Sequence, residues 1–148
     1  MRRMIRVFLV LLPMFVTVQA LSAQDSGPPV SSGQSDEFQL EQNYPNPFNP
    51  ETTIPFVLAE DLFVDGRPAV VSVRILNLLG QFIAAPVALG HSSGEGLALS
   101  QLDYAQPGRY EAFWDGRNQN GQQVASGIYF LVLTVNGKSK SLKMYVRK

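Results

Sequence analysis

This 148-residue sequence offers no credible set of side chains that would perform acid–base or nucleophilic chemistry together. There is no cysteine and one histidine, His91, which lies in the Gly/Ser-rich segment 90–96. A general base must be held near a nucleophile and an orienting group. We expect segment 90–96 to be a mobile loop and His91 to be a solvated loop residue. The sequence therefore predicts no catalytic residue and no enzyme.

The sequence offers no clear metal-binding pattern either. Zinc sites need His and Cys clusters, which this sequence lacks. Segment 115–121 resembles a calcium loop in composition, but the first acid would fall at Gly116 and no glutamate follows at the twelfth position. The Asn120-Gly121 pair is typical of a tight turn. We predict a turn here, with a weak oxygen-ligand site as the open alternative, and otherwise no metal and no cofactor.

The last part of the sequence is better suited to recognition than to catalysis. Residues 138–148 carry five basic side chains and no acid. Leu142, Met144 and Val146 alternate with polar residues, which predicts a half-buried strand. Two interpretations stay open: the lysines prevent edge-to-edge association of an edge strand, or the strand is an address that a receptor binds.

Trp114 also has two interpretations. An exposed tryptophan on a β-sandwich would be a platform for a sugar ring, whereas a buried one would stabilise a small core. Trp114 alternates with Tyr110 and Ala112 on one face of a predicted strand. The alternation favours a core position.

The elements that would position these residues are strands, because apolar residues recur with period two in segment after segment. Pro55 lies inside the first strand and predicts an edge position for it. The predicted strands are residues 52–58, 70–77, 81–85, 97–102, 109–115, 127–135 and 138–148. About seven short strands without a convincing helix predict an all-β fold, an Ig-like antiparallel β-sandwich.

Turn residues separate these strands. Asn77 and Gly80 fit the first and fourth positions of a type I turn, and Pro107-Gly108 fits the centre of a type II turn. Asn136-Gly137 predicts a type I′ hairpin between the last two strands. Strand 127–135 is apolar on both faces, so we expect it to be central or to have one face covered by the Pro-rich segment described below.

The start of the sequence is typical of a secretory signal peptide. Three arginines precede an apolar run of about a dozen residues that is too short for a membrane-spanning helix. Small residues follow, and cleavage after Ala23 fits best, which gives a signal peptide at residues 1–23. Residues 24–37 are mostly Ser, Gly, Pro, Gln and acids, which predicts a flexible linker. Residues 38–148 form the predicted domain.

Removal of the signal peptide leaves nine Lys/Arg and twelve Asp/Glu residues. This mildly acidic balance argues against a nucleic-acid-binding protein, which shows a basic excess. The absence of cysteine excludes disulfides and thiol catalysis, as well as lipid attachment through a cysteine at the cleavage site. We expect an exported protein without a transmembrane anchor after the signal is removed.

Residues 38–56 form the most distinctive segment. Proline excludes a helix and biases the preceding residue toward extended geometry. We predict an extended lead into the β fold, pinned by Tyr44 and Phe48. Three prolines lie close together between Tyr44 and the next strand: Pro45, Pro47 and Pro50.

This segment closely resembles the opening of the Ig-like C-terminal domains that serve as type A sorting signals of the bacterial type IX secretion system. A related Ig-like module occurs in the flagellar hook-capping protein. Residues 73–81, 114–130 and 143–148 resemble later segments of the same family, in order and at normal spacing. The residues that carry the structural signature are Tyr44, Pro45, Pro47, Phe48, Trp114, Asp115 and Gly116.

The resemblance implies export across the inner membrane, recognition in the periplasm by the type IX outer-membrane machinery, and delivery to the cell surface or medium. By the same resemblance, the candidate recognition residues are Gly127, Tyr129, Lys143 and Lys148. The alternative is a stand-alone secreted structural or adhesive module that contacts a protein or glycan. Strand 127–135 motivates it, because uncovered apolar surface marks an interface.

Overall fold

The structure is a computed structural model that describes residues 36–148. The predicted signal peptide and all but the last two residues of the predicted linker lie outside the described residues. Residues 36–148 contain one short 3₁₀ helix, Glu60–Phe63, and nine strands: β1 Phe38–Leu40, β2 Thr52–Leu58, β3 Ala69–Leu76, β4 Phe82–Ala84, β5 Val87–Leu89, β6 Leu102–Tyr104, β7 Gly108–Trp114, β8 Gly127–Val135 and β9 Lys138–Val146.

The strands form two antiparallel sheets that pack as a sandwich. The first sheet has the order β1-β2-β7-β5, and the second has the order β4-β3-β8-β9 with β6 also paired to β3. The predicted all-β sandwich is confirmed. The structure has two strands more than predicted, because β1 and β5 span only three residues each and give no readable alternation.

The core lies between the sheets and is built by the predicted alternation. Fully buried side chains of β2 and β7 face those of β3, β8 and β9; they include Ile54, Phe56, Ala112, Val71, Val73, Ile75, Leu131, Leu133, Val135 and Met144. Burial of each large apolar side chain contributes about 1.5–3 kcal/mol to stability. The predicted core position of Trp114 is confirmed, since its side chain is 2% exposed.

The predicted edge position of β2 is wrong, because β2 lies between β1 and β7. Pro55 is accommodated because β1 ends at Leu40, before it reaches the proline. The Pro55 carbonyl accepts a hydrogen bond from the Glu41 N–H at 3.0 Å, on the side away from β7. The N–H and the carbonyl of an extended residue point to the same side of the strand. The N–H that Pro55 lacks would therefore point toward residue 41, and the hydrogen bonds between β2 and β7 are unaffected.

Two predictions between β5 and β7 need correction. The strand expected at residues 97–102 is displaced: β6 begins at Leu102, while Ala98 forms only an isolated bridge with Val87. Gly108 has a φ of +153°, which is not the value near +80° that a type II turn requires. The physical reason is that β6 and β7 belong to different sheets, so residues 105–107 cross between layers instead of closing a hairpin.

The other predicted turns are confirmed. Gly80 N–H donates to the Asn77 carbonyl at 2.9 Å, which closes the β3–β4 turn. Asn136 and Gly137 both have positive φ, 47° and 84°, as a type I′ turn requires. Strand β8 is central in its sheet, as expected from its two apolar faces.

Candidate functional site

Most residues singled out by the sequence gather at one end of the sandwich, which we call the motif end. It comprises segments 41–51, 77–81 and 115–126 together with residues 147–148. Strands β2, β4 and β8 begin here and β3, β7 and β9 end here, because the sheets are antiparallel.

Three aromatic rings form the interior of the motif end. The Phe48 and Trp114 centroids lie 5.4 Å apart, and those of Trp114 and Tyr129 lie 5.9 Å apart, both pairs edge-to-face. Trp114 Nε1 donates to the Arg117 carbonyl at 2.9 Å, and the Tyr129 hydroxyl donates to the Ala125 carbonyl at 3.0 Å. These bonds fix the 115–126 segment onto the aromatic rings.

Gly116 brings the Pro-rich segment and the 115–126 segment into backbone contact. Its φ is +72°, and a Cβ atom added there would lie 2.2 Å from the Pro50 carbonyl oxygen. No side chain fits at that distance, so glycine is required both by conformation and by space. Asp115 accepts a hydrogen bond from the Arg117 N–H at 3.0 Å and helps to set the turn.

The Pro-rich segment also closes the end of β9. Phe48 N–H donates to the Tyr145 carbonyl at 3.0 Å, and Arg147 N–H donates to the Phe48 carbonyl at 2.9 Å. The Asn46 side-chain oxygen accepts from the Tyr145 N–H at 2.9 Å. Phe48 is 1% exposed and thus anchors the segment as predicted.

The other predicted anchor, Tyr44, acts by a different means. Its side chain is 49% exposed, while its backbone pairs with Thr53 of β2. The Tyr44 hydroxyl donates to Glu111 at 2.8 Å. This hydrogen bond, followed by the interactions of Arg109, lowers the pKa of the Glu111 carboxyl, and Glu111 in turn raises the pKa of Tyr44.

A buried polar pair inside the Pro-rich segment was not foreseen from the sequence. Asn43 and Thr52 are 1% and 2% exposed. Asn43 Nδ2 donates to Thr52 Oγ1 at 2.9 Å and to the Pro45 carbonyl at 3.2 Å, and Thr52 Oγ1 donates to that same carbonyl at 3.0 Å. Pro45, Pro47 and Pro50 all follow cis peptide bonds. The pair holds this irregular backbone against β2.

The four candidate recognition residues lie on or next to the β8–β9 pair. Gly127 begins β8 and is paired with Val146, and Lys148 N–H donates to Ser126 Oγ at 3.0 Å. Lys143 is exposed in the middle of β9, opposite Phe130. The Tyr129 side chain points into the core and is 9% exposed. Three of the four thus offer surface, whereas Tyr129 supports that surface from below.

The basic residues of β9 and the residues after it divide into two groups. Lys138 pairs with Glu37 at 2.7 Å and Lys140 with Asp36 at 2.9 Å, at the end remote from Lys148. These acids are the last residues of the predicted linker. Within residues 36–148, the remaining cations Lys143, Arg147 and Lys148 form no ion pair with an acidic side chain. All three side chains are exposed.

His91 is not the solvated residue that the sequence predicts. It is 7% exposed, with its ring centroid 4.8 Å from that of Tyr104. His91 Nε2 lies 3.0 Å from the Asp103 carbonyl and Nδ1 accepts from the Ser93 N–H at 3.1 Å. The Gly/Ser-rich sequence around His91 does not predict its burial, because the aromatic residue that packs against it, Tyr104, lies thirteen residues further along the chain. Both ring nitrogens are engaged with backbone groups.

Tyr104 itself is 3% exposed, and its hydroxyl has no hydrogen-bond partner among the described residues. Its burial, followed by the proximity of Tyr110, raises the pKa of the Tyr104 hydroxyl to about 12. Within residues 36–148, no three His, Asp or Glu side chains are grouped to hold a metal ion. Nor does that part contain a helix long and apolar enough to cross a membrane.

Comparisons with known proteins give structural neighbours only. No protein-family model matches the chain, and no curated protein matches it. One similar solved structure is PorZ of Porphyromonas gingivalis, described as an essential bacterial surface component of the type IX secretion system. It is 23% identical, with a TM-score of 0.45, and the match covers 79% of this chain and 13% of PorZ.

Two further structures are similar. Dimeric latent PorU from Porphyromonas gingivalis is 19% identical with a TM-score of 0.49, over 74% of this chain and 9% of PorU. The DNA glycosylase AlkC of Pseudomonas fluorescens is 17% identical with a TM-score of 0.41, over 76% of this chain and 31% of AlkC. These values identify no family. The chain spans less than a third of each of these proteins.

Proposed function

We propose that residues 38–148 act as a non-enzymatic sorting and surface-attachment domain for type IX secretion. The observation that carries the proposal is the motif end. The segments that resemble the type A sorting family are far apart in sequence, yet they pack into one unit around Phe48, Trp114 and Gly116. The proposal rests on the sequence motifs and on their placement at the motif end. The similarity to PorZ, with a TM-score of 0.45, is no part of its support.

The chemistry of the site fits recognition by a receptor. Lys143, Arg147 and Lys148 are exposed without an acidic partner in the described part of the chain. Such charges speed association with an acidic surface and fix its orientation. By the family resemblance, the partner is the type IX outer-membrane machinery, met in the periplasm after export through the inner membrane. The destination is then the cell surface or the medium.

The absence of enzymatic activity is part of the proposal. The only histidine of the sequence, His91, has both ring nitrogens hydrogen-bonded to backbone groups. A general base needs a free nitrogen directed at its substrate. This arrangement supports a structural role for His91.

A reporter fusion tests the sorting function. Residues 38–148 are joined behind a secreted reporter protein and expressed in a host that has the type IX system. We expect the reporter at the surface or in the medium, and in the periplasm of the same host without its translocon. Retention of the reporter in the periplasm of both strains would refute the sorting function.

A cleft favours a second candidate, a glycan-binding module. It has a volume of about 510 Å³ and lies between the sheets beside segment 115–121. Phe82, Phe113, Arg117 and Asn118 are among its lining residues. Aromatic faces with a few polar groups suit a sugar ring. Glycan-array binding that is lost in Phe82→Ala would support this candidate, and an array without signal would refute it.

A further inference from the structure

Two leucines project from the β3–β4 turn at the motif end without contributing to the core. Leu78 is 64% exposed and Leu79 is 82% exposed. The turn does not need them, because Asn77 Oδ1 accepts from the Leu79 N–H at 3.0 Å and from the Gln81 N–H at 2.9 Å. A well-held turn thus presents two apolar side chains to solvent.

These leucines continue into apolar side chains on the outer face of the second sheet. Cross-strand pairs place Leu76 next to Phe130, and Ile128 next to Tyr145. Tyr145 is 43% exposed. We call this set the outer apolar stripe: Leu76, Leu78, Leu79, Ile128, Phe130 and Tyr145. Isolated exposed apolar residues are ordinary, but a contiguous stripe marks an interaction surface.

The charges around the stripe have one sign. Arg74 and Lys143 are exposed on the same face, opposite Val132 and Phe130. Within residues 36–148, neither cation forms an ion pair, and turn 77–81 and the outward positions of β4, β8 and β9 carry no acid. The outward acid of this sheet, Asp103, is paired with Val70 near the opposite end.

The stripe also adjoins Gly127, one of the candidate recognition residues. A cleft of about 220 Å³ separates the turn from the start of β8, and Leu78, Leu79, Gly127 and Ile128 line it. A Cβ atom at Gly127 would meet nothing within 4 Å, so no neighbour in the described part fills this space. The φ of Gly127, +155°, still favours glycine.

We propose that the outer apolar stripe is the docking surface for a protein partner whose apolar site, rimmed by carboxylates, receives Leu78 and Leu79. The proposal deepens the proposed sorting function and rests on it for the identity of the partner as an export receptor. Apolar anchors supply most of the affinity of such an interface, and the basic rim supplies orientation.

Charge complementarity selects this partner over a second copy of the chain. Two copies joined through this face would bring Arg74 and Lys143 near their counterparts with no acid to balance them. The stripe crosses three neighbouring strands of the sheet, β3, β8 and β9, instead of being confined to its tip, which suits a broad protein surface better than insertion into a lipid layer.

The test uses the full chain in a host with the type IX system. We expect Leu78→Ser with Leu79→Ser to reduce the exported fraction about tenfold, as expected for loss of anchor residues. The matched control is Val64→Ser, which removes an 84% exposed apolar side chain at the opposite end. Both variants should keep the wild-type melting temperature. Lys143→Glu should also reduce export, whereas Lys143→Arg should restore it.

A photoreactive benzoylphenylalanine in place of Leu79, and separately in place of Val64, detects the contact itself. We expect one discrete protein adduct from position 79 and none from position 64. Export of the double variant at the wild-type level, together with no adduct at position 79, would overturn the docking surface while leaving the sorting function intact. An adduct in cells that do not export the wild type would refute sorting and keep the surface.

Two further outcomes would overturn an export receptor as the partner that docks on this surface. One is flotation of the purified chain with phosphatidylglycerol vesicles, lost in the double variant, which would assign the stripe to lipid. The other is a dimer in size-exclusion chromatography that the double variant abolishes, which would assign it to a second copy.

Discussion

Replacing Gly116 with alanine tests whether its contact with Pro50 holds the motif end together. The added Cβ would lie 2.2 Å from the Pro50 carbonyl oxygen and 2.8 Å from Gln123 Nε2, at a φ of +72°. A left-handed conformation costs alanine about 1–2 kcal/mol, and overpacking adds about 1–3 kcal/mol. We therefore expect the free energy of unfolding to fall by about 2–5 kcal/mol.

Gly121 offers a matched control. Its φ is +76°, close to that of Gly116, but an added Cβ would meet no atom within 4 Å. Gly121→Ala should therefore show only the conformational cost of about 1–2 kcal/mol. The difference between the two variants isolates the steric contact from the backbone conformation.

Urea denaturation followed by tryptophan fluorescence measures both variants, because Trp114 is the only tryptophan in the sequence. Its ring lies in the motif end, so the signal reports on the region that is perturbed. For a domain of this size, about 1 kcal/mol corresponds to roughly 4 °C in melting temperature. An equal fall in the free energy of unfolding in Gly116→Ala and Gly121→Ala would refute the close approach of Gly116 to Pro50.

The remaining predictions concern the core, a buried hydroxyl and a turn. Trp114→Ala should lower the free energy of unfolding by about 3–5 kcal/mol, because the ring is buried; a fall of only about one degree in melting temperature would contradict its core position. Tyr104→Phe should stabilise the protein by about 1 kcal/mol at neutral pH, because the Tyr104 hydroxyl has no hydrogen-bond partner in the described part. A clear loss of stability in this variant would show that the hydroxyl does have a partner. Burial raises the pKa of Tyr104 to about 12, so the hydroxyl loses its proton at a lower pH in the unfolded chain than in the folded one. Between roughly pH 10 and 12, the free energy of unfolding of the wild type should therefore fall by about 2–3 kcal/mol more than that of Tyr104→Phe. Asn136→Ala should cost about 1–2 kcal/mol in urea denaturation, because Asn136 Oδ1 accepts from the Val70 N–H at 2.9 Å, and an unchanged midpoint would contradict this.

The β8–β9 hairpin was predictable because its information is local. Alternating apolar residues fix which face is buried, and Asn136-Gly137 fixes the register through the turn type. The same holds for the β3–β4 turn, where Asn77 and Gly80 occupy the expected positions. Fold class followed from these local patterns.

The predictions that were wrong or missed concern residues whose contacts lie far away in the sequence. The position of β2 in its sheet depends on where β1 ends, and nothing near Pro55 reveals that. His91 is buried because Tyr104 packs against it, which its own Gly/Ser-rich surroundings do not indicate. The contact between Gly116 and Pro50 likewise joins separate segments. The signature residues of the motif end were found through family resemblance, since spacing alone does not bring them together.

The seam between residues 46–48 and 145–147 joins stretches about a hundred positions apart, as in the bond between Asn46 and the Tyr145 N–H. Contacts of such long range form late, because loop closure must precede them. We expect the last strand to be secured only after nearly the whole domain has emerged from the ribosome. The finished seam would then report that the domain has folded through its last strand, and a chain truncated before β9 would lack that mark.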